Sequence, residues 1–338
     1  MVIPSSRATV LAPESSDVLE TLGIAGRLMA SRSDGRLWAP ADLEYRADAG
    51  HFGLPDESAA WFFERSVDEI AAATTGIELA ALELTLPPLL ARVAALGPDA
   101  DQRLFNGPRV SLVDGWTADL PAGPRLVLRV GPTNYYTFIV TNQALPTWAA
   151  RGGLLPARLP VCGLANSLAA TLCLITSDDR LIVSERSRFV SQYPGLLTVS
   201  ASGGVEVDAT GGGGLLHNAL ASEAFEELGI EVDPEECGLY GLAVNLDQLQ
   251  VIAVGETRTA LSSDRVLDRR GVDAALETAV VPAVSLTRED LPTTVAWFVE
   301  TAARWEAASA VAFLACLERR HPAGDIRALT HALLARSA

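Results

Sequence analysis

The chain has 338 residues, of which 49% are apolar and 20% charged. That is enough apolar material for one large or two modest cores, and it excludes a generally disordered chain. The formal net charge of −16 argues against broad binding to nucleic acid or anionic membranes, which need clustered cations.

The opening "MVIPSSRATVLAPESS" has no cationic segment followed by an apolar stretch, so no signal peptide is expected. The late apolar run "AASAVAFLACL" is too short to span a bilayer. Cys162, Cys173, Cys237 and Cys316 contain no C-x-x-C pair, and His51, His217, His321 and His331 show no ligand spacing. Together these features point to a cytoplasmic protein without a zinc site or disulfide framework. There is no lysine, so all 26 basic residues are arginine. A phosphate held here by a cationic side chain is therefore held by a guanidinium fork.

In chain order, "AAWFFERSVDEIAAATTGIELAALELTLPPLLARVAAL" (59–96) carries helical spacing and stops at Gly97-Pro98. "RVSLVDGW", "RLVLRVG" and "YYTFIVTN" read as strands of a meander. "LPTWAARGGLLPARLPVCG", with three prolines and three glycines, is the linker candidate. "SLAATLCLIT" and "LIVSER" follow as a hairpin across "SDDR", and "GLLTVSASGG" as one strand running into a glycine turn. A helix is expected over 215–229, then a strand pair, "LYGLAVNL" and "LQVIAVGETRT", across "DQ". From Leu291 onward the helical period is sustained, as one or two long helices.

The helix at 215–229 carries the chemistry. Glu223, Glu226 and Glu227 stand at i, i+3 and i+4, so a helix places all three carboxylates on one face. Leu220, Ala224, Phe225 and Leu228 fall on the other side, free to pack on a sheet, and Gly229 closes the helix. Two readings compete: a solvated acidic face, or a carboxylate cage for a hard, oxygen-seeking cation that relieves the mutual repulsion. His217, beside the run of four glycines, reads as an uninvolved histidine.

The segment "SEAFEELGI", preceded by Gly203-Gly204, resembles the signature of the Nudix hydrolases, G-x5-E-x7-R-E-U-x-E-E-x-G-U. Glu223, Glu226, Glu227, Gly229 and Ile230 match its end in register. Three departures stand out. The arginine of the signature is Ser222 here, and its first glutamate falls on Gly214. Gly204 precedes Glu223 by 19 positions where the family has fifteen, so the loop carries four extra residues; Glu206 and Asp208 are the nearest replacement acids. With both members of the supporting arginine–glutamate pair missing, no unpaired charge is expected to remain. The stretches "RLIVSERSRFVSQYPGLLTVSASGGVE", "FNGPRVSL" and "LRVGPTNYYTFIVTNQ" are similar to the UDP-sugar diphosphatase branch. The resemblance covers about residues 105 to 285.

The resemblance implies an α/β fold, a Nudix-type α/β/α sandwich with a mixed sheet. An N-terminal α+β region (1–150) precedes the hydrolase domain (151–290), and a C-terminal helical segment (291–338) follows it. It also implies attack of water on the diphosphate of a nucleotide-sugar, with Mg²⁺ as cofactor and Mn²⁺ as a substitute. Glu223 and Glu227 would be the principal metal ligands, Glu226 a further ligand or base, and the Gly204 carbonyl a backbone ligand. Arg186 and Arg188 are the phosphate candidates. Tyr135, Tyr136 and Asn142 are the candidates for reading the base or sugar, and Glu256 for an additional acid from a later strand. The partner is a small-molecule diphosphate, with neither nucleic acid nor membrane, and a homodimer is left open. A nucleoside triphosphate or prenyl diphosphate hydrolase, or a non-catalytic nucleotide-sugar sensor, stay as alternatives.

Overall fold

The computed structural model describes residues 13–32, 34–47, 108–121, 123–138, 142, 165–187, 190, 192–206, 214–269 and 278–337. The helices expected over 59–96 and the linker at 145–163 lie outside these residues, as do Asp208 and Arg188.

Two sheets form the described fold. The large one contains β1 (Gly26–Met29), β9 (Gly238–Asn245), β10 (Gln250–Arg258), β5 (Ala169–Ile175), β6 (Arg180–Arg186) and β11 (Thr278–Ser285) in that spatial order. Strands β10 and β5 run parallel and the other neighbours antiparallel, so the sheet is mixed. The small sheet orders β2 (Leu43–Ala47), β4 (Gly123–Asn134) and β3 (Pro108–Leu120), with β2 parallel to β4.

Helices cover both faces of the large sheet. On one side lies α3 (Leu215–Leu228), whose Leu216, Leu220 and Ala224 join Leu172, Leu239 and Ala253 in one core. A short helix, α4 (Ser263–Leu267), lies against β6. On the other side is α6 (Ala307–Glu318), buried from Ala307 to Leu317. Its alanines let β1 approach so closely that a Cβ on Gly26 would stand 2.7 Å from the Ala307 carbonyl oxygen. Helix α1 (Pro13–Thr21) packs against α6 and against α7 (Ala323–Ser337), α7 packs against α5 (Leu291–Glu300), and Phe298 of α5 stacks on Phe313 of α6. The expected α/β/α layering is therefore present, with C-terminal helices on one face.

Three expectations change in detail. Tyr135–Phe138 is a helical turn, α2, and not a third strand. The chain leaves the sheet after Asn134 and buries Phe138 instead, a tertiary contact that outweighs β propensity. The C-terminal segment is three helices, because Glu306 interrupts it by capping α6, accepting the Ala308 and Ser309 amides. Pro322 then stands between α6 and α7.

The third change bears on the site. "GLLTVSASGG" is two short strands, β7 (Leu197–Val199) and β8 (Ala201–Gly204). Strands β5 and β6 meet at Ile175 and Leu181 and then part, so the chain fills the opening, first along β6 and then along β5. Ser200 stands at the crossing point. It is fully buried, and its Oγ accepts the Leu174 amide at 2.7 Å and donates to the Ile182 carbonyl at 2.8 Å. One hydroxyl thus satisfies both diverging strands where no ladder partner remains.

Candidate functional site

Helix α3 is fixed at its N-terminus by the chain before residue 50. Gly214 holds the cap position and has no side chain to receive the first amides. The Tyr45 hydroxyl on β2 accepts the Leu216 amide at 3.1 Å, and burial pushes its phenol well above the ordinary tyrosine range. His217 is fully buried within the helix, with Nε2 3.1 Å from the Trp38 carbonyl. A carbonyl only accepts, so Nε2 carries the proton. Burial lowers the His217 pKa, which keeps the ring neutral, and its Nδ1 has no partner among the described residues. At the other end Gly229 adopts φ 66°, the left-handed conformation expected of the closing glycine.

The helix lays two carboxylates over β8. A Cβ on Gly203 would collide with the Glu223 carboxylate, so Glu223 occupies space that only glycine leaves open. Glu227, one turn later, is 2% exposed and accepts the Ser202 amide at 2.8 Å. Glu226 turns outward and accepts the Ser222 hydroxyl at 2.6 Å. Among the described residues, no group of three His, Cys, Asp or Glu side chains is placed to hold a metal ion. The three glutamates are thus split, two on β8 and one apart. The facing of the helix explains the split. Its buried stripe is Leu216, Leu220, Ala224 and Glu227, while Phe225, expected to be packed, is 49% exposed.

Glu206 has a partner that the sequence did not disclose. Arg109, at the start of β3, donates from Nη1 to Glu206 Oε1 at 2.5 Å. Its guanidinium also lies 5.9 Å from the Tyr135 ring centroid and covers Gly204, where a Cβ would come within 2.6 Å of Nε. Glu206, one of the two nearest replacement acids, is thus paired with a cation from 97 residues earlier in the chain. The backbone joins here too, since Val110 donates its amide to the Val205 carbonyl at 3.0 Å.

Other candidates lie elsewhere. The main chain of Arg186 pairs with Gly195 and Leu196, ahead of β7, and its Nε donates to the Gln192 carbonyl at 3.0 Å. That is the β6 leg of the split, whereas the glutamates face the β5 leg. Asn142 is fully buried, donating to the Gln248 carbonyl at 3.0 Å and accepting the Asn166 amide at 3.1 Å. The side chain of Tyr136, like all of Arg188, lies outside the described residues. Glu256 points to the opposite face of the sheet from α3. There it accepts from the Tyr240 hydroxyl at 2.5 Å and pairs with Arg320 at 3.0 Å and Arg319 at 3.3 Å. Strand alternation accounts for this, because the neighbouring Gly255 is the residue that abuts Leu220 of α3.

No family model matches the chain. Over 165 residues it is 31% identical to the uridine diphosphate glucose pyrophosphatase NUDT22 of Homo sapiens, covering 48% of this chain and 54% of that protein. It is 32% identical over 167 residues to the protein of the same name from Bos taurus, covering 47% and 57%. The chain thus spans about half the length of the curated relatives it matches. Among solved structures, DR0079 from Deinococcus radiodurans aligns at 18% identity and a TM-score of 0.31, over 50% of this chain and 90% of that one. A MutT/nudix family protein from Enterococcus faecalis aligns at 15% and 0.25, over 40% and 48%. Both superpositions are too weak to carry weight. The glutamate helix and the sequence relatives agree with each other: the chain resembles the Nudix hydrolase superfamily, and within it the UDP-sugar diphosphatase branch.

Proposed function

We propose that the chain is a Mg²⁺-dependent hydrolase that cleaves the diphosphate of a nucleotide-sugar, with UDP-glucose as the reference substrate. One observation carries the reading: Glu223 and Glu227 are held over consecutive residues of β8, with Gly203 leaving room for the first. Mg²⁺ prefers hard oxygen donors, and proteins commonly hold it by one or two carboxylates together with substrate phosphates. A two-carboxylate platform fits that donor chemistry without a complete protein cage. When bound, the metal supplies charge neutralisation on the diphosphate and a bound water of lowered pKa; Mn²⁺ is the natural substitute.

Each side chain then has a task. Glu223 and Glu227 would hold the metal ion that faces the diphosphate, with the Gly204 carbonyl as a backbone ligand. Glu226, half-exposed and set apart, takes the proton from the attacking water, and the Ser222 hydroxyl steadies it as donor. Arg186, Arg188, Tyr135 and Tyr136 are assigned to phosphate, sugar or base, while the fully buried Asn142 holds the Asn166 amide and the Gln248 carbonyl. In this reading residues 151–290 form the hydrolase domain, 1–150 a region that shapes substrate choice and 291–338 a packing segment. No helix among the described residues is long and apolar enough to cross a membrane. Three buried free thiols, Cys173, Cys237 and Cys316, suit a reducing cytoplasmic setting.

The separation of Glu226 from Glu223 and Glu227 favours a second reading, a nucleotide-sugar sensor without turnover. A panel of UDP-, GDP- and ADP-sugars, nucleoside triphosphates and prenyl diphosphates, with Mg²⁺ and with chelator, separates the two. Metal-dependent release of a nucleoside monophosphate from a nucleotide-sugar supports the hydrolase. Binding without product supports the sensor, and preference for a triphosphate overturns the substrate assignment.

A further inference from the structure

We propose that Arg109, outside the glutamate helix and far from it in sequence, is a positioning residue for the carboxylate site, acting through Gly204. This rests on the hydrolase reading above for its functional meaning, though not for its geometry. Successive residues of a strand face opposite sides. Glu223 fills the space beside Gly203 on one side of β8, and Arg109 fills the space beside Gly204 on the other, within 2.6 to 3.0 Å of the place a Cβ would take. The glycine pair is thus clamped between a carboxylate and a guanidinium, with the backbone between them.

The clamp is braced at three points. Arg109 stands over the Tyr135 ring, 5.9 Å from its centroid, pairs with Glu206 two residues beyond Gly204, and sits next to Val110, which is hydrogen-bonded to Val205. The Arg109 side chain is 19% exposed and that of Glu206 59%. An ion pair so open to water adds little stability. Its effect is geometric: it fixes the height of the Gly203–Gly204 backbone, and with it the seat of Glu223. Arginine suits this position because one guanidinium reaches Gly204, Glu206 and the Tyr135 ring together, where an ammonium offers a single point charge.

The test uses Arg109→Met, which keeps the aliphatic contact with Gly204 and removes the planar cation, and Glu206→Gln, which removes only the exposed partner. Four quantities are read on the full chain: Mn²⁺ affinity by electron paramagnetic resonance, the Mg²⁺ concentration for half-maximal hydrolysis of UDP-glucose, the KM for UDP-glucose at saturating metal, and Tm. Arg109→Met should weaken Mn²⁺ binding and raise half-maximal Mg²⁺ by about 10-fold or more, the usual effect of losing a residue that orients metal ligands. The KM for UDP-glucose at saturating metal should stay within about 2-fold. Glu206→Gln should show a smaller shift of the same kind, and the double variant should be no worse than Arg109→Met alone.

A raised KM with unchanged metal affinity would make Arg109 a substrate contact and overturn the proposal. A fall in Tm alone would make it scaffold and overturn the proposal equally. If Arg109→Met does not fold, Glu206→Gln decides, and metal affinity equal to wild type overturns the proposal. A wild-type chain that binds Mn²⁺, loses affinity in Arg109→Met and turns over no substrate would sustain the positioning role while removing the hydrolase reading. A wild-type chain that binds no Mn²⁺ overturns both.

Discussion

Replacing Gly203 with alanine separates the seat of Glu223 from the stability of the strand. Gly203 lies in β8 with a backbone that any L-residue accepts, so Gly203→Ala introduces no dihedral strain. Reducing the freedom of the unfolded chain should even favour the variant by about 0.4–1 kcal/mol. Its methyl group, however, meets the Glu223 carboxylate head-on. A carbon and an oxygen settle at roughly 3.3 Å or beyond, so the carboxylate must withdraw by more than about 1 Å or swing away altogether. A displacement of that size at a reacting centre costs about 10²-fold, or about 2.7 kcal/mol of barrier. Hydrolysis of UDP-glucose under saturating Mg²⁺, followed by nucleotide chromatography, should show kcat/KM lower by about 100-fold. Tm should stay within about 4 °C of wild type. Wild-type turnover in Gly203→Ala would refute the seating of Glu223 at the site. A collapse in Tm would refute the claim that only a flexible carboxylate yields.

Two further outcomes follow from buried groups. Burial lowers the pKa of His217, so its neutral ring contributes stability that is fully present above the ordinary value of 6.5 and lost as pH falls from there through the folded pKa. His217→Gln keeps a donor for the Trp38 carbonyl and removes the titration, so the decline of Tm between pH 7 and pH 5 should be shallower than in wild type; an equal slope would contradict this. Asn142→Ala strands the Asn166 amide and the Gln248 carbonyl, at about 1–3 kcal/mol each. Urea denaturation should show a loss of about 2–6 kcal/mol, with the kcat/KM ratio between two nucleotide-sugars unchanged; a changed ratio with intact stability would make Asn142 a specificity residue.

The sequence made the local parts of the site legible. The spacing of Glu223, Glu226 and Glu227 and the closing Gly229 place a helix at 215–229, and the observed helix is Leu215–Leu228 with Gly229 as its cap. What it left obscure were contacts distant along the chain. Nothing local to Arg109 announces a partner at Glu206, and nothing in "SASGG" says that Ser200 bridges two parting strands. A pair of consecutive glycines at the end of a strand does signal close approach by something; which side chains approach is settled only by the fold. Phe225 and Glu227 show the same limit within one helix. Hydrophobicity predicts Phe225 inside and Glu227 outside, yet the angular position on the helix reverses them, and the Ser202 amide satisfies the buried carboxylate. Glu256 was legible as an acid on a strand, while its face was set by the bulk of Leu220 against Gly255.

The most direct test of the central claim is metal-dependent cleavage of UDP-glucose by the intact chain and by Glu223→Gln and Glu227→Gln. Both substitutions preserve side-chain shape, and glutamine at 227 can still accept the Ser202 amide, so both variants should remain folded by circular dichroism. The wild-type chain should release uridine monophosphate and glucose 1-phosphate with Mg²⁺ and stop when the metal is chelated, while each variant loses at least about 100-fold in kcat/KM, about 2.7 kcal/mol of barrier. Turnover that survives the chelator, or that persists at the wild-type rate in either variant, would contradict the account.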